Sequence, residues 1–141
     1  NAGASALAKS SNLSSLTELN LNWNFIEADG IEAMAKSKTF TNLEQLTLTY
    51  NPIGVRGAKA IARSENFKNL KLLDLYETEI GNEGGKALAE SKVLSNLETL
   101  VLIHNDITED VQELIRNSKN LPKLSKLVFR PAPTEEAGSL G

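Results

Sequence analysis

Apolar residues recur along this chain in two alternating rhythms. An alternating pattern marks Leu19-Asn-Leu21, Leu46-Thr-Leu48, Leu73-Asp-Leu75, Leu100-Val-Leu102 and Leu127-Val-Phe129, the period of two that sends successive side chains to opposite faces of a strand. Each of the first four is followed by apolar residues at helical spacing, as in Ala58-Lys-Ala-Ile-Ala-Arg63 and Lys86-Ala-Leu-Ala-Glu90, segments rich in strong helix formers. The unit is therefore a short strand and then a helix. Units begin at Leu16, Leu43, Leu70, Leu97 and Leu124, a constant spacing of 27 residues, and the register holds in other columns too. Asn24, Asn51 and Asn105 share one column with Thr78; Ile26, Ile53, Ile80 and Ile107 fill another; Gly30, Gly57 and Gly84 a third; Ser37, Ser64, Ser91 and Ser118 a fourth.

Physical constraints turn this repeat into a shape. Neighbouring strands lie about 4.8 Å apart, whereas packed helices need roughly 8–10 Å. Stacked identical units must curve, with strands inside and helices outside. The leucines at 19 and 21 and their equivalents form the core, and the residues between them meet solvent. The helix is expected to start near columns 27 to 30. A glycine at 30, 57 and 84 points to close approach between the first helical turn and the adjacent strand and turn, and the following alanines let the helix lie flat on the leucine layer. Asn side chains just beyond the strand can bond backbone groups where the chain turns inward, which predicts a buried ladder weakened at Thr78.

The pattern L-x-x-L-x-L-x-x-N-x-I, followed by G-x-x-A-I/L/M-A-x-S, resembles a leucine-rich repeat. The long helix-bearing unit resembles the ribonuclease-inhibitor-like subfamily, and Gly57-Ala-Lys-Ala60 and Gly84-Gly-Lys-Ala-Leu-Ala89 are similar to the bacterial Gly-Ala-Leu-Ala type of repeat. The resemblance spans residues 3 to 129. It implies an α/β fold, a right-handed β-α solenoid or horseshoe with parallel strands on the concave face and helices on the convex face, that binds protein partners. The chain departs from that pattern in two ways. Its unit is slightly short for the subfamily, and the fourth helix reads Val111-Gln-Glu-Leu-Ile-Arg116 in place of the Gly-Ala pattern, as terminal repeats often do.

The organisation expected is a repeat domain over 1–133, with a partial first unit at 3–15 whose strand is missing, followed by a disordered tail at 134–141. The mid-repeat start leads us to expect a fragment of a longer array; a chain complete as it stands, without a leader segment, would favour the cytoplasm. Uncapped ends offer self-association as a competing reading, a structural array with no dedicated partner.

Composition narrows the chemistry. The chain has 141 residues, a net charge of -3 and no cysteine, so disulfides, thiolate metal sites and cysteine nucleophiles are excluded. One histidine, His104, excludes a multi-histidine metal site, and no cofactor is expected. Without a Lys/Arg cluster nucleic acid is a poor partner, and without a long apolar run no segment spans a membrane as a helix. Gly81-Asn-Glu-Gly-Gly-Lys86 falls short of a phosphate-binding loop in its glycine spacing and at Ala87. His104 has Glu77 and Asp106 in reach as proton-transfer partners, but no nucleophile column accompanies it. Asn12-Leu13-Ser14 is a glycosylation sequon without context.

The informative constellation lies on the outward strand columns. Column 22 reads Asn22, Thr49, Tyr76, Ile103, Arg130, and column 23 reads Trp23, Tyr50, Glu77, His104, Pro131. The only Trp, both Tyr and the only His fall there, whereas Phe40, Phe67 and Phe129 occupy core columns. Aromatics with polar handles are enriched at protein interfaces. The later units add Leu72, Val101 and Val128 to the inner face. Strand propensity alone would account for scattered apolar residues, but explains poorly a patch contiguous across strands. The reading is a non-enzymatic protein-interaction module that binds a protein partner through Trp23, Tyr50, Leu72, Tyr76, Val101, Ile103 and His104. The alternative is the substrate-recognition arm of a larger enzyme or bacterial effector.

Overall fold

The computed structural model describes residues 15–131. The partial unit expected before Ser15, the sequon at Asn12 and the tail expected at 134–141 lie outside the described residues. Strand and helix alternate throughout: β1 (Glu18–Asn20), α1 (Ala28–Lys36), β2 (Gln45–Thr47), α2 (Gly54–Arg63), β3 (Leu72–Asp74), α3 (Gly81–Ala89), β4 (Thr99–Val101), α4 (Glu109–Arg116) and β5 (Lys126–Val128). A 3-10 turn at Glu65–Phe67 follows α2. The strands form one parallel sheet in chain order. Leu19 pairs with Leu46, Leu46 with Leu73, Leu73 with Leu100 and Leu100 with Leu127, so the sequence period is the register of the sheet. This is the α/β solenoid that the two rhythms predict.

Its core is the leucine layer roofed by the helices. Leu46, Leu73 and Leu100 are fully buried, as are Leu48, Leu75, Ile31, Ile61, Phe40 and Phe67. The glycine column works as expected: a Cβ on Gly57 would sit 2.6 Å from Ile53 Cβ, and one on Gly84 would sit 2.5 Å from Ile80 Cβ and 3.1 Å from Ala58 Cβ. The isoleucine that closes each turn thus folds under the helix it precedes, which requires the glycine four positions on. Of the alanines, Ala62 and Ala89 reach the core, whereas Ala60 and Ala87 are only half-buried.

The Asn ladder is present but shorter than its column. Asn51 Oδ1 accepts from the backbone N–H of Asn24 (3.0 Å) and Ile26 (2.9 Å), while its Nδ2 donates to the carbonyls of Leu21 (2.8 Å) and Leu48 (2.9 Å). Asn105 clips the preceding turn in the same way, through Thr78 N, Ile80 N and Leu75 O. Each Asn therefore satisfies the turn of the unit before it. Thr78 is too short for that reach: its hydroxyl donates to its own unit's Leu75 carbonyl (2.8 Å), and Ile53 N donates to the Asn51 carbonyl instead (2.8 Å). The Asn24 side chain is exposed rather than buried, donating to the Asn22 carbonyl. It is the first of its column, and Asn51 reaches back to its backbone.

A second ladder runs along the helix ends. Ser64 Oγ donates to the Ala35 carbonyl (2.6 Å), Ser91 Oγ to Ala62 (2.6 Å), and Ser118 Oγ to Ala89. The same oxygens accept from Asn66, Val93 and Asn120 N–H. The carbonyls at a helix C-terminus have no partner inside the helix; here the next unit's serine supplies one.

Candidate functional site

Where each of the first four strands ends, the chain turns through a left-handed residue. Trp23 (φ 62°), Tyr50 (φ 64°), Glu77 (φ 50°) and His104 (φ 56°) share this conformation in one column, and Phe25 (φ 54°), Glu79 (φ 62°) and Asp106 (φ 54°) share it two positions later. The equivalent of the latter in the second unit is Pro52, whose ring fixes a negative φ. None of these positions is glycine, although a left-handed L-residue costs about 1–2 kcal/mol. The turns lie side by side as a ridge, tied by backbone bonds from Trp23 N to Thr49 O (3.0 Å), Tyr50 N to Tyr76 O (3.0 Å) and Glu77 N to Ile103 O (2.8 Å).

The ridge carries a continuous aromatic ladder. Trp23 stacks on Tyr50 with ring centroids 3.8 Å apart and 26° between planes, Tyr50 meets Tyr76 at 5.2 Å, and Tyr76 meets His104 edge-on at 5.4 Å. Four of the residues singled out from the sequence are thus brought together. Tyr76 belongs to the neighbouring column, yet its ring spans the break that Glu77 makes in the aromatic one. The Tyr50 phenol is raised above its ordinary value, first by its hydrogen bond with Tyr76, then by burial and by the nearby negative charge of Glu77. It stays neutral across the physiological range.

The remaining sequence candidates are placed differently. Leu72 and Val101 lie on the sheet face, half-buried, on adjacent strands but diagonal to one another, since Leu72 pairs with Thr99 and Asp74 with Val101. Ile103 is only 8% exposed. It is buried rather than part of the accessible surface expected for it. Phe25, which sequence reasoning did not select, is 81% exposed, and Trp23 67%. The signal for Phe25 was present: its column otherwise holds Pro52, Glu79 and Asp106, so a phenylalanine there has no core to enter.

Polarity changes along the ridge. Its first two units carry Trp23, Phe25, Tyr50 and Pro52; the next two carry Glu77, Glu79 and Asp106, all exposed. Asp74 stands behind them on the sheet, accepting from Tyr76 N (3.0 Å).

Other chemistry is not assembled. Among the described residues no group of His, Asp and Glu is placed to hold a metal ion, and no helix is long and apolar enough to cross a membrane. Gly84 and Gly85 are buried within α3, facing side chains and not an anion-sized hollow. A cavity of about 630 Å³ opens on the helix side, lined by Lys59, Arg63, Glu83, Lys86, Glu90 and neighbours. Its charges are mixed and its lining holds no aromatic ring, which makes it a weaker candidate than the ridge.

Residues 12–35, 41–62 and 68–89 match the family model described as Leucine Rich repeat. Among solved structures, the chain is similar to the tropomodulin C-terminal domain from Caenorhabditis elegans, at 15% identity and a TM-score of 0.69, over 98% of this chain and 86% of that one. At such identity the likeness is one of fold. Curated protein sequences give no match.

Proposed function

Because the chain is a leucine-rich repeat protein folded as an α/β solenoid, we propose that it is a non-catalytic protein-recognition module of the ribonuclease-inhibitor-like type, engaging its partner with the concave sheet and the ridge along its border. The carrying observation is the aromatic ladder from Trp23 through Tyr50 and Tyr76 to His104, exposed at both ends and half-buried between them. Large aromatic side chains amid apolar neighbours are where binding energy concentrates. Their cost supports the same reading: Trp23, Tyr50 and His104 occupy left-handed backbone that glycine would adopt without strain, so a ridge serving stability alone would not carry them. Leu72 and Val101 extend the surface onto the sheet, while Ile103, in the same column as Tyr76, is buried.

Affinity capture on the immobilised chain, read by mass spectrometry, tests the proposal. A partner held by the wild type should lose about 2 kcal/mol or more of affinity with Tyr76→Ala, and keep it with Lys59→Glu or Arg63→Glu on the helix face. The reverse outcome, with all variants folded, sinks the concave-face reading. A role as the recognition arm of a larger enzyme would use the same surface.

A further inference from the structure

Resting on that reading of the ridge, we propose that its partner presents a bipartite segment, a large apolar residue at one end and Arg or Lys at the other, laid across the four turns. The polarity of the ridge carries the inference. Residues 22–25, 49–52, 76–79 and 103–106 contain no Lys or Arg. Their acids fall only in the third and fourth turns, whereas their exposed large apolar side chains, Trp23 and Phe25, stand in the first, beside the half-buried Tyr50 and Pro52 of the second. Among the described residues Glu77, Glu79 and Asp106 enter no ion pair, so their charge is available to a partner.

Between acidic and aromatic parts stands Tyr76, its ring 5.2 Å from that of Tyr50 on one side and edge-on to His104 on the other. Aromatic faces attract guanidinium and ammonium groups, and carboxylates beside them add Coulomb attraction. A carboxylate or phosphate ligand would be repelled from the same place, so an acidic peptide or a nucleic acid does not fit. Turns about 4.8 Å apart span about 14 Å in all, the reach of four to five extended residues. A short linear segment therefore suffices, its basic end over Glu77, Glu79 and Asp106 and its apolar end against Trp23 and Phe25.

The single Trp makes the ridge its own reporter. The chain is titrated, with Trp23 emission recorded, against a short Tyr- and Trp-free peptide carrying Arg and Lys in one half and Leu in the other, and against its counterpart with Glu replacing each Arg and Lys. The basic peptide should bind at least about tenfold tighter, with affinity falling as salt rises. Glu77→Gln combined with Glu79→Gln should weaken it roughly fivefold without changing the melting temperature. Equal or tighter binding of the acidic peptide, an unweakened Gln variant, or no response to either peptide overturns the proposal. If partner capture still depends on Tyr76 in any of those cases, ridge recognition stands and only its chemistry is wrong; if capture does not, the underlying reading fails as well.

Discussion

Asn51 serves backbone groups of Asn24, Ile26, Leu21 and Leu48 while fully buried. Replacing it with alanine strands those groups away from water and should cost about 1–3 kcal/mol in chemical denaturation, with binding at the ridge unchanged once folded. Thr78→Asn should be neutral or stabilising by up to about 1 kcal/mol, since the longer amide reaches the Asn51–Ile53 turn that Thr78 leaves to a local bond. Strain gives a prediction of opposite sign. Glu79 sits at φ 62°, so Glu79→Gly should raise stability by about 0.5–1 kcal/mol, the relief of left-handed strain less the entropy of glycine; a loss of stability would contradict that account. The Asn column was legible in the sequence because a polar residue at fixed register beyond a strand has few other uses. The ring of Tyr76 and the burial of Ile103 were not, because register fixes Cα positions while the left-handed residues that follow re-aim the side chains.

The first three helices are held at their C-terminal ends by the next unit's serine, and α2 and α3 close at their N-terminal ends over the isoleucine that precedes them. At the C-terminal end Ser91, itself buried, donates to the Ala62 carbonyl, and Ser91→Ala should cost about 1–2 kcal/mol by orphaning it. At the N-terminal end Gly84→Ala forces a Cβ to within 2.5 Å of Ile80 Cβ and should cost about 1–3 kcal/mol as overpacking; thermal melts of the two variants check both. The last helix differs. Its first turn holds Asp110, which accepts from the Thr108 hydroxyl, and this bond before all else lowers its carboxyl below the ordinary value of 3.8, with backbone N–H groups and Lys86 adding to the effect. A carboxyl depressed on folding contributes stability above its unfolded value and loses it as pH falls through the folded one. Acidification below about pH 4 should therefore loosen α4, and Asp110→Asn should remove that part of the pH dependence in melts followed from pH 7 downward. The helices were legible from composition and the glycine column. The serine ladder was not, because a serine after a helix reads locally as a turn former and its partner lies in the preceding unit.

Over the whole molecule, stability is a sum of unit and nearest-neighbour terms, and the central units should dominate it. Leu73 is fully buried between neighbours on both sides, whereas Leu19 and Leu127 at the sheet edges are only half-buried. Leu73→Ala should cost about 3–5 kcal/mol and Leu127→Ala about 1 kcal/mol; comparable losses would mean that the edges are as well packed as the centre. The same stacking creates the ridge, since no single turn could hold four rings in a line, and the constant 27-residue register is why its members could be read from the sequence at all. Phe25 escaped that reading because it belongs to a column defined by polar residues and proline. The most direct test of ridge recognition is amide hydrogen exchange on the captured complex. The account predicts protection gathered at 22–25, 49–52, 76–79 and 103–106, with helices α1 to α4 exchanging as in the free chain; protection confined to those helices, with the ridge unchanged, would contradict it.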